Sequence, residues 1–300
     1  MARIDYDEFG LFHENAEEFG LPYDRPPDVR RESVEVAPGR HLSALVWGRA
    51  DPELVLLHGG AQNAHTWDTV ALALGRPLVA IDLPGHGHSD AGASGALSLE
   101  ANALDVAAAM RALAPRPVPL VGMSLGGLTA LALTSAAPEL VSSLVLVDVT
   151  PGVTAGKGAA IAAFVDGPSS FASFDEILAR TVEHNPTRSV SSLRRGILHN
   201  AVQREDGSWV WRYARFEHHR GDRPEFSGQW ASVSALRVPV MLVRGMAAGS
   251  VVDDDDEAEL LRRAPGARVE HVEGAGHSVQ GDQPVALARL LADFLGLDDS

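Results

Sequence analysis

Apolar positions fall into two rhythms along the chain. Six short runs, "LVLL" 54 to 57, "LVAI" 78 to 81, "VPLVG" 118 to 122, "LVLVD" 144 to 148, "PVMLV" 239 to 243 and "RVEHV" 268 to 272, are apolar at nearly every position. A strand with one face in water alternates apolar and polar residues; runs without that alternation are buried on both faces, as in a parallel sheet covered by helices. Between them lie segments of helical composition and length: "SLEANALDVAAAMRAL" (98 to 113), "LGGLTALALTSAA" (125 to 137) and "QPVALARLLADFLG" (283 to 296). The last has proline in its first turn and glycine at its end, the usual helix punctuation. The alternation predicts a doubly wound, mostly parallel α/β sheet. Upstream, "SVEVA" and "HLSALVW" flank "PGR" and predict an antiparallel hairpin.

The rhythm fails between about 151 and 235, where helical patterns ("FASFDEILARTVEHN", "SVSSLRRGILHNAV") and three of the five tryptophans replace the strands. Because the strand pattern resumes at "VPVMLV", this stretch reads as an insertion. The expected division is an arm over 1–32, the first part of the core over 33–150, the insertion over 151–235 and the second part of the core over 236–300. Pro22, Pro26 and Pro27 break any helix around them in the arm.

With 45% hydrophobic and 22% charged residues, 300 residues suffice for one large core. A formal charge of −15 argues against nucleic acid or an anionic membrane as partner, since both need a basic face. The chain has no cysteine, which removes disulfides, thiolate metal sites and cysteine nucleophiles. The acidic start lacks the basic and apolar regions of a signal peptide, and no apolar run approaches the roughly 20 residues that span a bilayer. A cytoplasmic protein is expected.

The strongest chemical signal is "VGMSLGG", 121 to 127, a G-x-S-x-G between an apolar strand and a helix. A sharp strand-to-helix turn there exposes Ser124, and Gly122 and Gly126 remove side chains that would collide. A serine hydroxyl needs a base within hydrogen-bond reach. Of twelve histidines, His277 in "VEGAGHSVQGDQP" follows the last strand, at the sheet end where the serine emerges. It is the expected general base. "HGHSDA", 86 to 91, nearly spells a binuclear zinc motif, but Ala91 replaces its last histidine; a structural loop is expected. His218 and His219 are adjacent, which hinders joint ligation of one ion; His58 and Trp67 read as structural. Trp209, Trp211, Trp230, Phe216 and Phe226 form a small core of the insertion or line a pocket.

"LLHGG" at 56 to 60, "AIDLPGHGHSD" at 80 to 90, "VGMSLGG" and "GAGHSVQGDQP", in that order, resemble the α/β-hydrolase fold family over residues 33 to about 297. The resemblance makes the insertion a helical cap over the active site. It implies an oxyanion hole from the amides of Gly60 and Leu125, with Ala61 as a neighbouring alternative. The family usually draws its acid from the loop after "PVMLV", yet the corresponding positions here are Ala248, Gly249 or Ser250, none of them acidic. Asp253 to Asp256 come later, where acidic residues suit a helix start, so Asp253 stands as the alternative acid. Other members take the acid from the end of the preceding strand. Asp148, 24 residues after Ser124, closes "LVLVD" beside the serine and is the expected partner of His277.

The resemblance implies a serine hydrolase forming an acyl-enzyme on Ser124 with a small-molecule ester or lactone, and needing neither cofactor nor metal. Carbon–carbon bond hydrolysis, for which Arg194, Arg195 and Arg212 are available to bind a carboxylate, and perhydrolase or lyase chemistry are the enzymatic alternatives. The alternative of a different class is a catalytically inactive ligand-binding protein.

Overall fold

In chain order the computed structural model, which describes residues 4–92, 97–185, 187–214 and 225–297, opens with α1 (Phe12–Phe19), β1 (Val29–Ala37), β2 (Arg40–Trp47) and β3 (Leu54–Leu57). A 3-10 turn (Ala64–Trp67) leads to α2 (Asp68–Leu74), β4 (Leu78–Ile81), α3 (Leu99–Leu113), β5 (Val118–Met123), α4 (Leu125–Ala136) and β6 (Val141–Val147). Then come α5 (Ala159–Val165), β7 (Ser170–Phe171), α6 (Phe174–His184), α7 (Val190–Asn200), β8 (Ala201–Gln203), β9 (Trp209–Trp211) and α8 (Trp230–Ala235). The chain finishes with β10 (Val240–Gly245), α9 (Asp254–Arg263), β11 (Arg268–Val272), α10 (Val279–Asp282) and α11 (Pro284–Leu295). His218, His219 and Phe216 lie outside the described residues.

Eight strands form one sheet in the order β1-β2-β4-β3-β5-β6-β10-β11. The pairs β1–β2 and β2–β4 are antiparallel, and all pairs from β4 to β11 are parallel. Each central strand feeds two cores. In β3, Val55 and Leu57 join one apolar cluster with Val106 and Met110 of α3 and Leu128 and Leu131 of α4; Leu54 and Leu56 join another with Val70 of α2 and Leu287 and Leu291 of α11. All four β3 side chains are buried, which is why the run never alternates.

Local chemistry sets the helix ends. Ser98 accepts the Ala101 N–H at the start of α3, Ser173 and Ser189 cap α6 and α7 in the same way, and Gly296 closes α11 in the left-handed region at φ 66°. In the arm, α1 packs Phe12 into the core, and β1 begins at Val29, inside the expected 1–32. One expectation needs correction. The insertion is not wholly helical: β7, β9 and β8 form a three-stranded antiparallel sheet. Phe171 and Trp209 of that sheet share a small core with Ile177, Ile197 and Leu198 of α6 and α7.

A buried ionic network ties arm, sheet and insertion together. Arg31 of β1 binds Glu8 of the arm and the fully buried Asp82, the latter at 2.8 Å. His65 donates to Glu8 at 3.0 Å through Nε2 and to Asp68 at 2.8 Å through Nδ1. Its ring stacks on His199 of α7 at 3.8 Å, and Tyr6 bonds His199 Nδ1 at 2.7 Å. Burial alone would lower the His65 pKa, but the Asp68 and Glu8 carboxylates outweigh it and raise the pKa to about 9.

Because the folded pKa lies above the unfolded value of about 6.5, the stability this imidazolium contributes is complete below that pH and disappears as pH rises through 9. Denaturant unfolding at pH 6 and pH 9.5 should show wild type losing about 1–3 kcal/mol more than His65→Leu over that interval. Parallel losses in the two proteins would contradict this.

Candidate active site

Three turns meet at the carboxyl edge of the sheet. Met123 and Val147, the last residues of β5 and β6, are partners in register, so Ser124 and Asp148 emerge side by side. The Ser124 N–H donates to the Val147 carbonyl at 3.3 Å. Ser124 has φ 51°, Asp148 has φ 47°, and Ala61, in the loop after β3, has φ 60°; among the described residues these are the positive-φ residues other than glycine. L-residues occupy that region at a cost of about 1–3 kcal/mol, sustained only where the surroundings impose it.

The glycines around Ser124 show what imposes it. A Cβ on Gly122 would overlap the Gly126 carbonyl, and one on Gly126 would overlap the Leu57 and His58 carbonyls of the neighbouring strand end. Helix α4 therefore starts pressed against β3 and β5, and Ser124 takes up the bend.

Asp148 is fully buried, and its carboxylate accepts four hydrogen bonds. Oδ1 accepts from the Gly245 N–H at 2.9 Å and the Ser250 hydroxyl at 2.6 Å; Oδ2 accepts from the Val251 N–H at 3.1 Å and His277 Nδ1 at 2.9 Å. One donor, Gly245, ends β10, two come from the loop after β10, and the fourth from the loop after β11. His277 Nε2 is buried and, like the Ser124 hydroxyl, makes no hydrogen bond among the described residues. The structure thus joins Asp148 to His277 and sets Ser124 beside Asp148, without a serine–histidine hydrogen bond. Such bonds often tighten only when substrate binds.

The loop after β3 presents two amides with different surroundings. The Ala61 N–H donates to His86 Nε2 at 3.1 Å, and the Ala61 carbonyl accepts from Asn200 Nδ2 at 2.7 Å. The Gly60 N–H has no acceptor among the described residues, nor has the Leu125 N–H in the first turn of α4. A Cβ on Gly60 would stand 3.9 Å from Leu125 Cδ2, so the Leu125 side chain lies beside the Gly60 backbone. His58 accepts the Leu83 N–H at 2.9 Å; burial, then the nearby His86, lowers its pKa to about 3, and it remains a neutral structural ring.

Asp253 is occupied elsewhere. It caps α9 in a reciprocal box with Asp256, both carboxylates pair with Lys157 Nζ at 2.7 Å, and Asp254 pairs with Arg244. None of these groups bonds His277. His86 of "HGHSDA" is held by Pro84 and Ala61, while His65, Asp68 and His199 bring one ligand atom each to within 4.8 Å of one another. Sequence reasoning missed that second group, because its members are spread from 65 to 199.

A cavity of about 160 Å³ lies between the insertion and the loops carrying Gln62 and Ser278. Trp211 lines it, whereas Trp209 is buried in the core of the insertion and Phe226 and Trp230 pack on the main core. Arg194 pairs with Glu14, Arg195 lines the cavity paired with Glu18, and Arg212 is not among the lining residues.

Residues 54–290 match the model of the alpha/beta hydrolase family. The chain belongs to the α/β-hydrolase family. This hydrolase is 46% identical over 297 residues to esterase Rv0045c of Mycobacterium tuberculosis, covering 96% of each chain. The crystal structure of that esterase superposes with a TM-score of 0.86 at 45% identity, covering 98% of this chain and all of the other. The sn-1-specific diacylglycerol lipase ABHD11 of Xenopus laevis is 31% identical over 267 residues, covering 81% of this chain and 80% of the lipase.

The turn at Ser124 predicts a contrast between two glycines. Gly126→Ala should lower stability by about 1–3 kcal/mol or more through overlap with backbone. Gly196→Ala, inside α7 with nothing within 4 Å of the added methyl, should raise it by about 0.5–1 kcal/mol. Thermal unfolding of both variants checks this; a tolerated Gly126→Ala would contradict the packing account.

Proposed function

We propose that this chain is a serine esterase that cleaves a small-molecule carboxylic ester or lactone through an acyl-enzyme on Ser124. The observation that carries the reading is the hydrogen bond from His277 to a carboxylate buried beside Ser124. In the proposed mechanism Ser124 Oγ attacks the substrate carbonyl carbon while His277 Nε2 takes the hydroxyl proton. The imidazolium so formed is held by Asp148 through Nδ1–H. Charge on the carbonyl oxygen is met by the amides of Gly60 and Leu125, whose N–H groups are unspent, in preference to Ala61, whose N–H is engaged by His86. Collapse expels the alcohol, which takes the proton from His277. Water then gives a proton to Nε2 and attacks the acyl carbon, releasing the acid and restoring Ser124.

The esterase and lipase names of the relatives support ester hydrolysis over carbon–carbon bond cleavage or a non-catalytic role. Residues 151–235 serve, in this reading, as a cap that closes the cavity over the site. No helix of the described residues is long and apolar enough to cross a membrane. We place the enzyme in the cytoplasm, acting on a small molecule and needing no metal or cofactor for the proposed steps.

Hydrolysis of p-nitrophenyl acetate by four proteins tests the assignment. Ser124→Ala should abolish turnover, and Asp148→Asn should lower kcat/KM by about 10³- to 10⁴-fold. Asp253→Asn, which keeps a good helix cap, should change it by less than about threefold. Equal losses in Asp148→Asn and Asp253→Asn would overturn the choice of acid.

A further inference from the structure

Ser124 and His277 do not line the cavity, which adjoins the candidate site through Gln62 and Ser278; polar side chains such as Thr66, Asn185 and Gln280 share its lining with Phe164, Ile197 and Trp211. Two guanidinium groups reach into it. Arg195 is satisfied: it binds Glu18, donates to Ser191 at 2.8 Å and stands 3.6 Å from Glu14.

Arg188 is different. Among the described residues its side chain makes one hydrogen bond, from Nη2 to Ser192 Oγ at 2.6 Å, and no ion pair. Its Nε is buried without a partner. A guanidinium carries five N–H donors, and a desolvated cation without a direct ion pair is unfavourable. Burial accordingly pushes the Arg188 pKa down, whereas Arg31 and Arg244, which have carboxylate partners, are pushed up.

Two acids, Asp282 and then Glu18, favour the charged guanidinium from nearby, but neither forms an ion pair with it. Glu18 is bound by Arg195 and Ser189, and Asp282 accepts the Gly276 N–H at 2.9 Å. The location is also telling. A Cβ on Gly281 would stand 2.9 Å from Arg188 Cζ, so the guanidinium lies against α10, four residues beyond His277. Ser278 and Gly281 of that same turn line the cavity. The chain's acidic balance, 40 acidic against 25 basic residues, makes an unpaired cation at this point the more informative.

We propose that Arg188 is the anion-recognising residue of the substrate cavity, and that the ester cleaved here carries a carboxylate that pairs with its guanidinium. The planar fork suits a carboxylate in two-point contact, which a lysine would not reproduce. The proposal rests on the serine-esterase reading for catalysis, but recognition of the anion can be measured without turnover.

On Ser124→Ala protein, calorimetric titration compares monomethyl glutarate with methyl pentanoate, a neutral ester of similar length. The anionic ester should bind about 10- to 100-fold more tightly. Arg188→Gln should remove that preference, and Arg188→Lys should restore part of it. With Ser124 intact, the kcat/KM ratio of the anionic to the neutral ester should fall by the same factor in Arg188→Gln. Equal binding of the two esters, or a preference that survives Arg188→Gln, would overturn the proposal. Methyl 4-phosphonobutanoate binding more tightly than monomethyl glutarate would overturn the choice of carboxylate. If Ser124-intact protein cleaves neither ester while the binding preference holds, the esterase reading fails and the anion site stands.

Discussion

A carboxylate with no access to water is the constraint around which this site is arranged. Taking an ionised carboxylate out of water costs several kcal/mol even after relaxation, and hydrogen bonds to the charged form must offset that cost. Asp148 receives four such bonds, from Gly245, Ser250, Val251 and His277. The loop after β10 is therefore shaped as a donor cradle. It carries no acid at Ala248, Gly249 or Ser250, and Ser250 contributes a hydroxyl to the carboxylate that emerges from β6.

The cradle has a geometric consequence for the neighbouring turns. Because β5 and β6 end in register, a carboxylate fixed after Val147 stands next to whatever follows Met123. Ser124 and Asp148 both leave their strands at positive φ, and glycines packed without space for a Cβ hold the first of those turns in place. The third positive-φ residue, Ala61, is clamped at N–H by His86 and at carbonyl by Asn200 of α7. That clamp connects the inserted elements to the loop bearing Gly60. Repacking α7 is therefore expected to reach the amide geometry of that loop as well as the shape of the cavity.

Much of this was readable in the sequence, where one local rule decided each feature. The runs at 54–57 and 78–81 are strands with those same limits, since burial on both faces leaves a continuous apolar signature, and 268–272 is a strand with its expected limits at the partly exposed sheet edge. The glycine pattern around Ser124 was legible for a similar reason: only glycine fits there. Features resting on contacts between distant segments were not legible. The strands of the insertion are two or three residues long, too short to carry a period, and α1 sits in a proline-rich arm that obscured it. The network of Glu8, Arg31, His65, Asp68 and His199 joins residues up to 191 positions apart, and none of them belongs to a local motif. Arg188 shows the same limit, because a buried Nε without a hydrogen-bond partner is a property of its surroundings in three dimensions.

The central claim is that Asp148 holds the Nδ1–H of His277, and proton NMR observes that hydrogen directly. Wild type and Asp253→Asn should each show a far-downfield, exchange-protected ring N–H resonance, assigned to His277 by its loss in His277→Gln. In Asp148→Asn that resonance should vanish while the rest of the spectrum stays folded. A resonance that persists in Asp148→Asn but is lost in Asp253→Asn would contradict the account.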